Sequence, residues 1–470
     1  MPLHKTVIHL WMSTSNLELT RDSPPHVPPH RRMSLREPPP HARASFGVAG
    51  AVGVVVNMVL FVMDIVSDGL LAYMLWRQAQ QDEAWSEPVT WFIITLCIIL
   101  VPMVVINVCS LLWYSQNKQC LGEYSVLHKV GKVGTVQRVL MHLLLLGPLV
   151  RYMDILQYGV KMQQERKHLE MGMRGSSSIL RRTPRGEVYA VLQMVISRDS
   201  AMLDMMHSFL QDAPQLIFQV FLLYRRPELI TGTLKDSPYT TAVQVWKIML
   251  GVAAISWSLV TYQDELRRSV PGKDKLSCCA SFTCLMWRAA IVASRVMAIG
   301  SFAAIYAPEG VRWALTVHMR EDGTVHMPFP IVTACVLAAH WLIMVAWIHA
   351  QGTNFCGGDS EGQRQPVLEF LYNCVMGVVH VFSYINVKDT PSRRRMAFFY
   401  AFCLIENTVM ISVWCVEMEP HLSVWFRAVM VFSVEVLWLV GICCLIGYYA
   451  FLHPDKDNLG TSRNNASWRS

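Results

Sequence analysis

Asp64 and Asp68 stand four residues apart inside Phe46 to Trp76, a stretch that is otherwise almost wholly apolar. On a helix that spacing puts both carboxylates on one face, with Asn57 about two turns earlier near the same face. A second polar interruption runs from Ser208 to Gln219, Ser-Phe-Leu-Gln-Asp-Ala-Pro-Gln-Leu-Ile-Phe-Gln. There Gln211, Gln215 and Gln219 share a face at successive i, i+4 steps, and Asp204 lies two turns before Asp212. Pro214 has no N–H to give, so the carbonyl of Leu210, one turn earlier, loses its usual partner. Arg288 and Arg295, seven apart, fall on one side of a third apolar block, and Lys247, Arg151, Asp154, Glu406, Asn407 and Glu435 complete the set. Carboxylates and amides in such places attract ammonium groups and hold water, while guanidinium groups suit phosphate.

What must position these residues is a bundle of membrane helices. Hydrophobic residues make up 53% of the chain and charged residues only 16%, against roughly 25% charged in an average soluble chain. Ten apolar blocks carry the excess: Phe46 to Trp76, Val89 to Tyr114, Val139 to Val160, Ser200 to Tyr224, Thr240 to Tyr262, Phe282 to Tyr306, Pro328 to Ala350, Val367 to Asn386, Met396 to Val416 and Val424 to Ala450. Most reach the ~20 residues a spanning helix needs. Ionisable groups at bilayer depth normally face the protein interior or a wet cavity. The set therefore reads in two ways, as the wall of a hydrated path or as buried ion pairs such as Asp64 or Asp68 with Arg288 or Arg295. Acids outnumber bases within the blocks and the residues lie at several depths, which favours the path.

Other chemistries find little support. No nucleophile–base constellation, nucleotide loop, CxxC pair or Cys/His metal spacing stands out, so neither an enzyme nor a cofactor is expected. The thirteen cysteines are scattered and mostly apolar filler. Cys278 and Cys279, at an expected cytoplasmic edge, are weak candidates for acylation. His340, His349 and His380 read as packing or interface residues, and Trp76, Trp85, Trp91, Trp113 and Trp425 as interface anchors. The formal charge of +7 is spread over loops, which points to topology rather than to nucleic acid.

Residues 1–45, rich in Pro and Arg, are expected to be a disordered cytoplasmic tail without a cleaved leader. A transmembrane domain follows over 46–450, and 451–470 is a short cytoplasmic tail. Lys and Arg accumulate on cytoplasmic loops, and strict alternation then fails at two blocks. Val139 to Val160, with Gly147-Pro148 as its apex, and Val367 to Asn386 are therefore expected to dip in and return. The expectation is an all-α polytopic membrane protein with eight transmembrane helices and two re-entrant helices, both termini cytoplasmic. One loop, 225–239, dissents, because it carries Arg225, Arg226 and Lys235 on the expected outer side. Each half, 46–262 and 282–450, reads span, span, dip, span, span, which suggests a two-fold pseudo-repeat.

The stretch Phe209-Leu-Gln-Asp-Ala-Pro-Gln-Leu resembles the Phe-Leu-Glu-x-Ala-Pro-Gln-Leu hallmark of the XK-related membrane protein family. Further segments resemble it in collinear order from about Phe61 to Pro454. They include Leu143 to Arg151, Ile255-Ser-Trp-Ser, Trp287-Arg288, Ser294-Arg295-Val296, Gln351 to Phe355, Tyr384-Ile-Asn386, Glu406-Asn407 and His453-Pro454. The resemblance implies a plasma-membrane protein with eight spans and two re-entrant helices. It also implies a phospholipid scramblase that needs no energy source and exposes phosphatidylserine on dying cells once a caspase has cut a cytoplasmic tail. Gln211 stands where relatives often carry Glu, which removes a charge from the expected path. That lipid path would be formed by Asp64, Asp68, Asp204, Gln211, Asp212, Gln215, Arg288, Arg295, Glu406 and Glu435. Asp22 and Asp457 are the candidate caspase sites, though neither has an Asp-x-x-Asp context. Expected partners are membrane phospholipids, with a caspase, a single-span membrane protein and a second copy left open. Two rivals remain: a secondary transporter or channel, and a scaffold that binds a single-span partner and moves no lipid.

Overall fold

Long apolar runs with few helix breakers form long helices, and the computed structural model shows twelve of them among the residues it describes. The described residues are 46–81, 87–121, 135–172, 184–224, 238–269, 276–305, 318–319, 325–326, 328–352, 366–386, 393–418 and 422–453. The first half comprises α1 (Val48–Gln81), α2 (Glu87–Leu121), α3 (Thr135–Leu143), α4 (Gly147–Gly172), α5 (Pro184–His207), α6 (Ala213–Tyr224) and α7 (Pro238–Ser269). The second comprises α8 (Cys278–Ala303), α9 (Phe329–Ala350), α10 (Pro366–Phe382), α11 (Arg393–Glu417) and α12 (Val424–Gly447). A two-residue antiparallel pair, His318–Met319 with Val325–His326, precedes α9.

Among the described residues, seven helices are long and apolar enough to cross a membrane: Gly50–Gln80, Val89–Tyr114, Thr241–Arg268, Cys278–Ala303, Phe329–Ala350, Arg393–Glu417 and Val424–Leu452. The expected eighth span, Ser200 to Tyr224, lies in a continuous helical run in which a π turn over Ser208–Asp212 joins α5 to α6. Its row of glutamines and aspartates keeps it less apolar than the other seven. The chain is thus an all-α, multi-pass membrane protein. The exposed face of α1 shows the solvent it is built for, since Val52, Val55, Val59, Val62, Val66, Leu70 and Tyr73 run down it at helical spacing. Its polar residues, Asp64, Ser67 and Asp68, are buried on the opposite face.

The first expected dip is a helical hairpin. Short α3 ends at Leu143, the chain turns over Leu144 to Leu146, and α4 begins at Gly147-Pro148. The apex thus comes just before Gly147-Pro148, because Pro at the second helical position starts a helix more readily than it bends one. Leu145 has the left-handed φ of 61°. Asn107 on α2 accepts from the Gly147 N–H at 2.9 Å, and a Cβ on Gly147 would meet Asn107 Oδ1 and His142 at 2.5 Å. The second expected dip is α10 followed by a non-helical stretch, 383–386.

The first half thus contains seven helices and a π turn, and the second five helices with a π turn over Tyr448–Leu452. Helix α8 joins them: it packs on α6 and α7 of the first half and on α9, α11 and α12 of the second. One hydrophobic core runs through this contact, from Phe209, Leu216 and Val220 past Val292, Val296 and Ile299 to Trp414 and Val434. Close approach is bought by small residues, since a Cβ on Gly300 would meet Val220 Cγ1 at 2.4 Å and one on Gly441 would meet Ile291 Cδ1 at 2.7 Å.

The tails with Asp22 and Asp457, and most of the dissenting 225–239 loop, lie outside the described residues. Trp91, expected as an interface anchor, is instead buried and packed against Phe218 and Phe221, whereas Trp76 and Trp425 are exposed.

A polar core in two nodes

The expected site residues gather in two separate nodes rather than along one wall. In the first half, Lys247 on α7 reaches across to α1. Its Nζ pairs with Asp64 and lies 2.6 Å from Asp68 Oδ1. Gln211, in the π turn, donates to Asp64 Oδ2 at 3.1 Å and to Asp68 Oδ2 at 2.7 Å, and Gln215 donates to Asp68 Oδ1 at 3.0 Å. His207 Nε2 lies 3.0 Å from Gln211 Oε1. All of these side chains are buried, and Asp212 beside them keeps one buried oxygen, Oδ1, without a hydrogen bond. Three acids thus surround one ammonium. An ammonium that donates to two carboxylates at once is held strongly in a medium of low dielectric constant.

The π turn gives this geometry its local cause. The Ala213 N–H bonds back to the Ser208 carbonyl, five residues earlier, so the extra residue is absorbed before Pro214 has to enter α6. Gln211 and Gln215 consequently both reach Asp68, and Gln211 reaches Asp64 as well.

Asp204 lies just below this node and only half buried. It accepts from Tyr152 on α4 at 2.6 Å and from Asn57 Nδ2 at 3.4 Å, and Asn57 in turn accepts from Trp257 on α7. Around it is a cavity of about 50 Å³ whose polar lining includes Asn57, Asp64, Asp204, His207, Ser208 and Asp212. At roughly 10–15 Å³ for each water centre, that is room for a few waters and none for a lipid headgroup.

The second node centres on Arg295 of α8, which is fully buried. It pairs with Glu406, donates to Asn407 Oδ1 at 2.7 Å and to the Val381 carbonyl at 3.0 Å, and lies 3.1 Å from His340 Nδ1. His340 is 2.7 Å from Glu406, so a residue expected as packing is part of the charged node. Arg288 donates to Ser383 Oγ and to the Tyr384 carbonyl, both at 2.6 Å, and so ties down the stretch after α10. No described pair joins Asp64 or Asp68 to Arg288 or Arg295. Each half satisfies its own charges. Glu435 belongs to neither node: it is half buried on the outer side of α12, where Thr408 donates to it at 3.0 Å.

Two participants were under-read in the sequence. Lys247 was visible as an intramembrane charge, but i, i+4 spacing gives a face and not a partner on another helix. His207 gave no signal at all.

These features define a class, a polytopic helical membrane protein with two inward-facing nodes of paired charge, one in each half. A family model described as XK-related protein matches residues 52–318 and 324–454, and the chain belongs to the XK-related family. It is 22% identical over 408 residues to the XK-related protein 8 of Gasterosteus aculeatus, covering 85% of this chain and 83% of that one. It is 24% identical over 315 residues to the XK-related protein 8 of Tetraodon nigroviridis, covering 67% of this chain and 63% of that one.

Proposed function

We propose that this protein is a phospholipid scramblase of the plasma membrane, moving lipids both ways without an energy source and exposing phosphatidylserine, with both termini in the cytosol. The observation that carries the reading is the polar cavity beside Asp204, flanked by three further acids or amides, Asp64, Asp212 and Asn57, within helices α1, α5 and α7. A lipid headgroup crosses a bilayer only where water and polar side chains replace its hydration. Here an acid-lined cavity opens at bilayer depth, suited to the amine or choline end of a headgroup. Its small volume makes this a closed conformation. Opening requires α7, which carries Lys247 and Trp257, to part from α1, which carries their partners.

Removal of a cytoplasmic tail by a caspase is the proposed trigger. The decisive test is flipping of labelled phosphatidylserine and phosphatidylcholine in liposomes holding full-length or tail-trimmed protein. Trimmed protein is expected to flip both. Asp204→Asn, which removes a cavity charge that has no cationic partner within hydrogen-bond distance, is expected to slow flipping roughly tenfold while the melting temperature holds, since the neighbours Tyr152 and Asn57 can still bond an amide. Equal rates would exclude the cavity as the path.

A second reading has its own observation. Because both nodes are paired and buried, the charges could serve the bundle alone, and the protein would be a scaffold for a single-span partner. In that case trimmed protein flips nothing.

A further inference from the structure

Free cysteine is among the most buried of residue types, yet Cys278 and Cys279 are both exposed, and they open α8 as its first two residues. The other exposed cysteines among the described residues lie well inside their spans. Cys97 is eight residues from the start of Val89–Tyr114, Cys335 six from the start of Phe329–Ala350 and Cys443 nine from the end of Val424–Leu452. Those are depths of about 9–14 Å, whereas Cys278 and Cys279 stand at the rim. The rim itself is held in place. Ser277 caps α8 by accepting from the Ala280 N–H at 3.2 Å, and the Leu276 N–H bonds Asp264 Oδ1 on α7 at 3.1 Å. Leu276 also packs against the buried cluster that holds Ala280 and Cys284. From the thiols into the bilayer, the same face of α8 is apolar and open: Phe282 is 61% exposed and Met286, one turn further, 37%. We propose that Cys278 and Cys279 are S-acylated, carrying long-chain fatty acyl groups as thioesters that lie along Phe282 and Met286 in the cytoplasmic leaflet.

The acyl donor is a long-chain thioester of coenzyme A. The cysteine sulfur attacks its carbonyl carbon, the new S–C bond forms as the donor's S–C bond breaks, and the cysteine proton goes to the departing coenzyme A thiol. Nothing is oxidised or reduced. Position selects these two thiols: a juxtamembrane cysteine is within reach of a transferase working at the cytoplasmic surface, and one buried at depth is not. The segment before α8 carries Arg267, Arg268, Lys273 and Lys275, the charge that marks a cytoplasmic loop. The inference rests on that cytoplasmic placement, part of the proposed topology, and not on lipid transport, so it holds equally for a scaffold. A pair of chains beside one another would anchor this end of α8 more firmly than a single chain does.

The test exchanges thioesters for mass tags on the full-length protein taken from cells: free thiols are blocked, hydroxylamine releases the acylated ones, and a heavy maleimide marks them. Wild type is expected to gain one tag for each of the two cysteines. Cys278→Ser and Cys279→Ser should each lose one tag, and the double variant both. Wild type without hydroxylamine-dependent tags, or a double variant tagged like wild type, would overturn the proposal. A membrane-impermeant maleimide applied to intact cells tells the reasons for failure apart. Labelling of wild type that the double variant lacks places the thiols outside and overturns the topology together with the proposal. Missing tags with no such labelling overturn the acylation alone. Serine suits the first turn of a helix, so the variants keep the cap and the span.

Discussion

Lys247 holds two buried acids of another helix at once. Its ammonium contacts Asp64 and Asp68, and Asp212 lies in the same buried group with Oδ1 unbonded. Removing one member of a buried pair costs more than removing both, because an uncompensated charge stays behind. Lys247→Met is therefore expected to destabilise the protein by about 3–5 kcal/mol. Adding Asp64→Asn and Asp68→Asn to it should recover much of the loss. Thermal unfolding in detergent measures both, and a single variant that melts like wild type would mean that the clamp is idle. The same residue marks the limit of reading the sequence. Asp64 and Asp68 were legible as a pair on one face, because an i, i+4 spacing is a statement about one helix. Their cation was not, because it lies 179 residues beyond Asp68 on a helix whose rotation only packing decides. Glu435 misleads for a different reason: the expectation that a buried-looking charge faces inward is a tendency of membrane proteins, and this residue is turned outward.

At the scale of elements, the apolar blocks located the helices well because the hydrocarbon layer imposes a length and forbids unpaired backbone. The turn between α3 and α4 had a visible mark in Gly147-Pro148. What the residues could not convey is that Gly147 is needed for space as much as for a turn. Asn107 Oδ1 and the His142 ring crowd its Cα hydrogen, and both are held in place: Asn107 Nδ2 bonds the Met103 carbonyl at 2.8 Å, and His142 lies 2.9 Å from Ser110 Oγ. Arg151 then bonds the same Ser110 hydroxyl at 2.7 Å, so the apex is a polar knot with no slack. Gly147→Ala is expected to cost about 1–3 kcal/mol by overpacking. Gly53→Ala on α1, where nothing lies within 4 Å of the added methyl, should be neutral or slightly stabilising. Comparing their melting temperatures separates crowding from helix propensity, and equal shifts would show that the apex relaxes freely.

For the molecule as a whole, the two nodes divide the labour. The Arg295 node ties α8 to α9, α11 and the end of α10, and every charge in it has a partner inside its own half. The Lys247 node ties α7 to α1 beside a cavity with room for water, and Asn57 and Trp257, bonded to each other, line that cavity. If lipids pass, the first half is the part that opens and the second is the frame against which it moves. That asymmetry can be tested directly. With the other exposed cysteines replaced, Asn57→Cys and Trp257→Cys joined by a short, reducible thiol cross-linker should lock α1 to α7 and stop flipping in tail-trimmed protein, and reductant should restore it. A matching link between α8 and α12, at Ile291→Cys and Gly441→Cys, should leave the rate unchanged because those helices are already packed without a polar gap. Flipping that survives the first link, or stops with the second, would place the moving part elsewhere.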